Sequence, residues 1–428
     1  MKNCITIELE QQTPMWHFRP DEQGCCLRAT EVKPKLDRFI AEMREKNGKK
    51  DGVEPPFNYK MSFEAIGEKK KMPCQEERND KYRNSKKKNL YPLFFGNVRA
   101  EHPKKLVFYP NGIKMRVFSL DTALLDEISG YLNVFFAQTT FGTRQDKGFG
   151  AFYPKSKTFD ESGACYCFET KNMAKDEYPE MFRYIHYFHK MIRSGINENN
   201  NYYKSFMFFY AKSLGQTWDK PVIRYNFQMF NPLYKHLSMK EDNKKLSRYK
   251  QRESMREERE KQFEKEKSYR ESKYLFRDAL GLSGIQSWGS YRTSVSIDCV
   301  KGGVGRFKSP ILYRPVYVDG KYMIYLYLSK IDGIKTYEKK ETVMFRITAE
   351  CNNKKKTMED MHVYPDFLLE RYFDFIIENC KDETKKIGVF DRERRNENLI
   401  KDIVLEIFGK DKESGNINFR KLVKYVGK

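Results

Sequence analysis

Histidine, cysteine and tryptophan are scarce in this chain: six, nine and three among 428 residues. Nine cysteines over that length give no paired framework of the kind that staples small secreted domains. Apolar runs are short as well, and none approaches the roughly 20 residues that a membrane helix needs. No leader-like segment opens the sequence, so a cytoplasmic protein with reduced thiols and no membrane contact is expected. Metal-ligand spacing is missing too. Cys165-x-Cys167 lacks the two-residue gap of a zinc knuckle, and His186 and His189 sit among aromatics where packing is the simpler role. No metal and no cofactor are expected.

What the chain does hold is cation and aromatic surface. Lys and Arg number 81 against 59 Asp and Glu, a formal net charge of +22. That excess carries self-repulsion, which a polyanionic partner would relieve. With 28 Tyr and 32 Phe there are flat faces for unpaired bases, a combination that suits single-stranded RNA.

Periodicity organises the first 155 residues. Ile5-Thr-Ile-Glu-Leu9 alternates as a strand before Thr13-Pro14. A helix opens within Leu27 to Ile40, with Thr30 as its N-cap and Pro34 in its first turn. Residues 45–88 are poor in apolar side chains; Lys69 to Lys88 holds nine Lys/Arg against three Asp/Glu, which predicts an extended, mobile basic insertion. Strands at Lys105–Tyr109 and Ile113–Ser119 follow, joined by Pro110-Asn111-Gly112. A helix runs from Asp121 through Phe136, and a strand at Phe149–Tyr153 closes the unit. The order β-α-β-β-α-β is that of a ferredoxin-like fold, shared with RNA recognition motifs. Residues 156–428 form a second domain. It holds a strand at Cys165–Thr170, a helix at Tyr178–Ser194 and an aromatic helix or buried strand at Asn201–Leu214. A charged arm at 240–273 has 13 Lys/Arg and nine Asp/Glu. Strands fill Ser290–Ala349, and helices span about Met358–Cys380 and Asn396–Phe408.

Two glycine loops stand out. Phe141-Gly142-Thr143-Arg144-Gln145-Asp146-Lys147-Gly148-Phe149-Gly150 lies between a helix and a strand. Gly302-Gly303-Val304-Gly305-Arg306-Phe307-Lys308-Ser309-Pro310 precedes another. Glycines let a phosphodiester approach backbone N–H groups, and Arg144, Lys147, Arg306 and Lys308 place charge where it would lie. The plainer alternative is a helix C-cap glycine and a surface turn.

These segments, taken in order, resemble the RAMP superfamily of CRISPR systems. Leu27-Arg28-Ala29-Thr30-Glu31-Val32-Lys33 is similar to the family's Leu-Arg-x-x-x-x-Lys opening, Leu93-Phe-Phe-Gly96 to its Leu-Phe-Gly box, and Gly142–Gly150 to its glycine-rich loop. Leu280-Gly281-Leu282 and Arg306-Phe-Lys308-Ser309-Pro310-Ile311-Leu312 resemble, within that family, the tandem-RAMP head subunits of type III-B (Cmr) complexes. The opening helix departs from the pattern in carrying Glu31 and Pro34 where relatives usually have a glycine soon after the lysine.

The resemblance implies an α+β chain of two ferredoxin-like (RRM-like) RAMP domains in tandem, with charged insertions and C-terminal helices. It implies a non-catalytic RNA-binding subunit that caps a filament of related subunits near the guide RNA 3′ end and assists target RNA capture. Arg28, Lys33, Lys35 and Arg38 on the opening helix are its candidate RNA contacts. Gly142, Arg144, Lys147, Gly148 and Gly150 add the first loop, and Gly303, Arg306 and Lys308 the second. Guide RNA, target RNA and other RAMP subunits are the expected partners.

Two other functions stay open. Some RAMP proteins are endoribonucleases that process CRISPR RNA with a histidine as acid or base. His17 and His102 are candidates, although Trp16 and Phe18 make packing the simpler role for His17. Asp21 and Asp51 lack any supporting context for catalysis. A stand-alone single-strand RNA binder also fits the composition, but it leaves the ordered RAMP-like segments unexplained.

Overall fold

The computed structural model describes residues 3–16, 27–48, 54–77, 87–92, 106–198, 201–227, 273–282, 286–290, 293–299, 308–329, 344–351, 354–381, 398–410 and 417–422. Alternation in Cys4–Gln11 (β1) turns Ile5, Ile7 and Leu9 inward. Ala29–Lys46 (α1) buries Val32, Leu36 and Ile40 at helical spacing. Lys60–Ala65 (β2) alternates again, with Met61, Phe63 and Ala65 packed against the same core. Ile113–Phe118 (β3) leads into Thr122–Gln138 (α2), whose N-cap Asp121 accepts from the Leu124 N–H at 3.1 Å. Phe152–Pro154 (β4) completes the sheet. Its strand order is β2-β3-β1-β4 with every pair antiparallel, the ferredoxin-like arrangement. Arg44 on α1 grips Glu127 on α2 at 2.5 Å and ties the helices together.

The same plan recurs in the second half. Tyr166–Glu169 (β5), Tyr178–Arg193 (α3), Ile311–Val318 (β6), Lys321–Leu328 (β7), Asn398–Phe408 (α4) and Arg420–Lys421 (β8) follow in chain order. The sheet order is β6-β7-β5-β8, again wholly antiparallel. Phe168 of β5 stacks on Phe188 of α3 with centroids 4.6 Å apart, and Phe188 on Phe408 of α4 at 5.3 Å. Aromatic area of this size supplies most of a small core's burial energy.

Both halves belong to one compact unit: residues 1–189, 311–328 and 394–428. The long excursions between α3 and β6 and between β7 and α4 make a second unit, residues 190–310 and 329–393. Its five-stranded sheet runs Tyr274–Leu275, Lys354–Val363, Met344–Cys351, Thr293–Cys299, Gln286–Ser290 in spatial order, with only the first pair parallel. Helices at Phe206–Ser213, Asp219–Asn226 and Leu369–Lys381 accompany it. Among the described residues no helix is long and apolar enough to cross a membrane.

Several local expectations are corrected. Thr30 does not cap α1: Arg28 is the extended N-cap residue, without a side-chain cap. Pro34 therefore sits in the second turn, where it has no N–H to donate to the carbonyl four residues back. Leu106–Phe108 does not pair with Ile113–Phe118, although Gly112 turns the chain by donating to the Tyr109 carbonyl at 3.1 Å. Both edges of β3 are already filled, by β1 and β2, so Leu106–Phe108 pairs with Met15–Trp16 and Lys70–Met72 in a separate sheet. The second ferredoxin-like strand comes instead from within 45–88. Asn201–Leu214 divides into a short strand at Asn201–Tyr203 and the helix from Phe206. Met358–Val363 is strand rather than helix. A bulge opposite Phe345 and Ile347 allows Met358 and Met361, three residues apart, to meet the same neighbouring strand face. The arm at 240–272 lies outside the described residues, as does the Leu93–Gly96 box.

Candidate nucleic-acid interface

The first two turns of α1 and the first glycine loop are stitched together. Glu31 Oε1 accepts the Gly142 N–H at 2.8 Å. Lys35 Nζ donates to Gln145 Oε1 at 2.6 Å and to the Thr140 carbonyl at 3.0 Å. Between Glu31 and Lys35 in sequence, Lys33 bridges Asp37 (2.8 Å) and the Phe57 carbonyl (2.9 Å), over the Tyr59 ring. Lys33 and Lys35 thus hold the scaffold, whereas Arg28 and Arg38 are exposed.

Each of the three glycines adopts the left-handed region, with φ of +81° at Gly142, +87° at Gly148 and +67° at Gly150. Each also meets its own protein closely. A Cβ on Gly142 would stand 2.6 Å from the Trp16 carbonyl oxygen, one on Gly150 2.0 Å from that of Phe141, and one on Gly148 2.8 Å from Pro315 Cδ. Their N–H groups go to Glu31, Gln145 and Pro14 respectively for Gly142, Gly148 and Gly150. Phe149 between them is fully buried and stacks on Phe182 at 3.7 Å. The loop is therefore anchored by an aromatic and closed by its own backbone contacts.

Arg144 is itself left-handed, at φ +58°, and its guanidinium lies 4.8 Å from the Trp16 ring centre. Burial lowers its pKa. The Trp16 indole N–H beneath it is buried with no acceptor among the described residues. Lys147 is 3% exposed; its ammonium sits 3.4 Å from both His189 ring nitrogens and 5.3 Å from the Tyr313 ring centre. His189 in turn meets the Tyr313 hydroxyl at 3.1 Å. Exposed charge near this loop comes from a place the sequence reading did not single out: Lys70 and Lys71, on the strand joined through Leu106–Phe108 to Trp16, which bridges Thr143.

The second glycine loop belongs to the other compact unit. Gly303 and Arg306 lie outside the described residues, as do His17, His102 and Asp21; Lys308 is exposed. Ser309 packs on the Leu280-Gly281-Leu282 turn, where a Cβ at Gly281 would be 2.8 Å from Ser309 Cα. Buried charges hold that turn. Arg193 donates to the Gly281 carbonyl (2.9 Å) and pairs with Asp278 (2.6 Å), which also takes Arg277 (3.1 Å). Asp219 accepts the N–H groups of Phe276 and Arg277 at 2.9 and 3.0 Å. Burial pushes its carboxyl up to about 6. Burial also opposes ionisation of Asp278, but the guanidiniums of Arg277 and Arg193 prevail and hold its carboxyl below the usual range. Adjacent Arg277-Asp278 beside Leu-Gly-Leu was the only sequence signal for this network.

Among the described residues no three His, Cys, Asp or Glu side chains are placed to hold a metal. What the surface offers is positive charge and shape. No curated protein matches the chain significantly. Two family descriptions do match, the Cmr1 N-terminal domain over residues 2–196 and the Cmr1 C-terminal domain over residues 202–402. Together they cover most of the tandem ferredoxin-like fold and the unit inserted into it, and the chain belongs to the Cmr1 family of type III-B CRISPR complex subunits.

Proposed function

We propose that this Cmr1-family chain is a non-catalytic RNA-binding subunit that caps the filament of a Cmr effector complex near the guide RNA 3′ end and assists target RNA capture. The observation that carries the reading is the family match over both halves of the molecule. The formal charge of +22 supports RNA as the ligand. Arg28, Arg38, Lys70, Lys71 and Lys308 are exposed and able to meet phosphates. Arg306 and Gly303 remain part of the proposed contact on the resemblance alone. Arg144 and Lys147 act from within, holding the loop against Trp16 and against His189 and Tyr313. Lys33, Lys35, Gly142, Gly148 and Gly150 set the shape on which RNA would rest.

Sequence selectivity then comes from pairing to the guide rather than from this chain. The test is affinity for a single-stranded RNA oligonucleotide against salt, with cleavage followed in parallel. Salt-dependent binding without cutting is expected. Cleavage of repeat RNA to a cyclic-phosphate end by metal-free protein, abolished in His17→Ala, would install the processing-enzyme alternative instead.

A further inference from the structure

Cross-strand partners share a face, and four of them make one row across the second ferredoxin-like sheet: Arg314 on β6, Tyr325 on β7, Cys167 on β5 and Arg420 on β8. The row lies on the face turned away from the helices, since the neighbouring Phe168 stacks on α3. On the corresponding strands of the first sheet a row reads Glu64, Lys114, Glu8, which is charge alone.

The aromatic row is covered. The segment joining the two halves, residues 155–164, lays Phe159 on the Tyr325 ring, with centroids 5.1 Å apart and planes 31° apart. The Arg314 guanidinium is 5.7 Å from the centre of the same Phe159 ring. One hydroxyl pins this strap: Tyr153 donates to the Thr158 carbonyl at 3.0 Å and accepts the Asp160 N–H at 2.8 Å. Arg314 beneath it is fully buried, yet its hydrogen bonds go to two neutral acceptors, the Phe152 carbonyl at 2.9 Å and Gln12 Oε1 at 2.7 Å. Its Nε and Nη1 have no partner among the described residues. A buried guanidinium in that state carries a desolvation cost that an anion would offset.

Tyrosine rings and guanidinium planes are the partners of unpaired bases, and spare guanidinium N–H groups those of phosphate. Phe159-Asp160-Glu161, a ring followed by two carboxylates, matches such a ligand in its chemistry. We propose that the strap covers a nucleoside-phosphate site, in which a base takes the place of Phe159 on Tyr325 and its phosphate meets Arg314. The ligand is a free nucleotide or one residue of an RNA strand. Only for a strand does this rest on the RNA-binding reading above, which puts its contacts at exposed cations. The closed strap competes with the ligand, so the apparent affinity is the intrinsic one reduced by the fraction open.

The test uses the full chain and a fluorescent purine nucleotide whose emission falls on stacking, supplied free or placed once within a short oligoribonucleotide. Phe159→Ala should bind one of these probes about threefold or more tightly than wild type, with deeper quenching. Tyr153→Phe keeps its ring, loses both strap hydrogen bonds and should act in the same direction; it serves if Phe159→Ala melts lower. Adding Arg314→Met or Tyr325→Leu should abolish the gain. A gain for the free nucleotide alone assigns the site to small ligands, and a gain for the oligonucleotide alone to RNA. Folded strap variants with wild-type affinity and quenching for both probes overturn the proposal, and so does a gain that survives Arg314→Met. Salt-dependent oligonucleotide binding that persists in those variants would leave RNA binding standing without this site.

Discussion

Gly148 and Pro315 touch across the two ferredoxin-like halves, with room for no side-chain carbon between them. The left-handed φ of +87° and the proline ring constrain the same position independently. Gly148→Val should therefore cost about 2–4 kcal/mol of stability, measured by denaturant unfolding. RNA affinity per folded molecule should be little changed. A stable variant that lost RNA affinity would show instead that phosphate approaches the backbone here.

Arg314 beside this contact is fully buried, and burial pushes its pKa down to about 10. Its Nε and one terminal nitrogen have no partner among the described residues. Removing such a charge while keeping its volume relieves its desolvation, so Arg314→Met should lie within about 1.5 kcal/mol of wild type. Arg314→Ala leaves a cavity as well and should cost about 3 kcal/mol. Equal losses for the two would mean that the guanidinium hydrogen bonds, not the volume, hold the halves together.

RNA binding should separate exposed from interior cations. Arg28→Ala, Lys70→Ala, Lys71→Ala and Lys308→Ala should each lower the salt slope by roughly 0.7 where a phosphate contact is lost. Lys147→Met should leave the slope unchanged and act on melting temperature, because its ammonium faces His189 and Tyr313. Affinity against salt, with melts alongside, distinguishes them.

Asp219 should give the fold a pH signature. Its folded-state pKa, about 6, is above the unfolded value of about 3.9. The stabilising effect is fully present below about pH 3.9 and is lost as pH rises through 6. It amounts to roughly 2–3 kcal/mol at full extent. Asp219→Asn should flatten that dependence between pH 4 and 6 in unfolding titrations. An unchanged profile would assign the slope to other groups.

Local signals in the sequence located most elements. Asp121 before an apolar stripe marks α2, alternation marks β1, and a run of β-branched and aromatic residues marks β6. Lys60-Met-Ser-Phe-Glu-Ala65 alternates just as clearly, yet the lysines around it give the segment the composition of an insertion. The bulged Lys354–Val363 strand was hidden because its methionines fall at a helix-like spacing of three. In the candidate site, charge type was legible but direction was not. Lys147 and Arg28 look alike in sequence, and only the arrival of β6 from 160 residues later puts one inside. The buried Arg193–Asp278–Arg277 cluster depends on packing between distant segments, which no local period encodes.

The split second half also has a bearing on biosynthesis. Cys167 on β5 and Arg420 on β8, partners in adjacent strands, are 253 residues apart. As the chain leaves the ribosome, β4 supplies the first sheet's closing strand early. One edge of β5, meanwhile, must wait for nearly everything else to be made. Such late closure slows folding and prolongs the exposure of an unpaired strand edge. The interrupted half is accordingly where nascent-chain aggregation would begin, and where an early-bound neighbour or chaperone would help most.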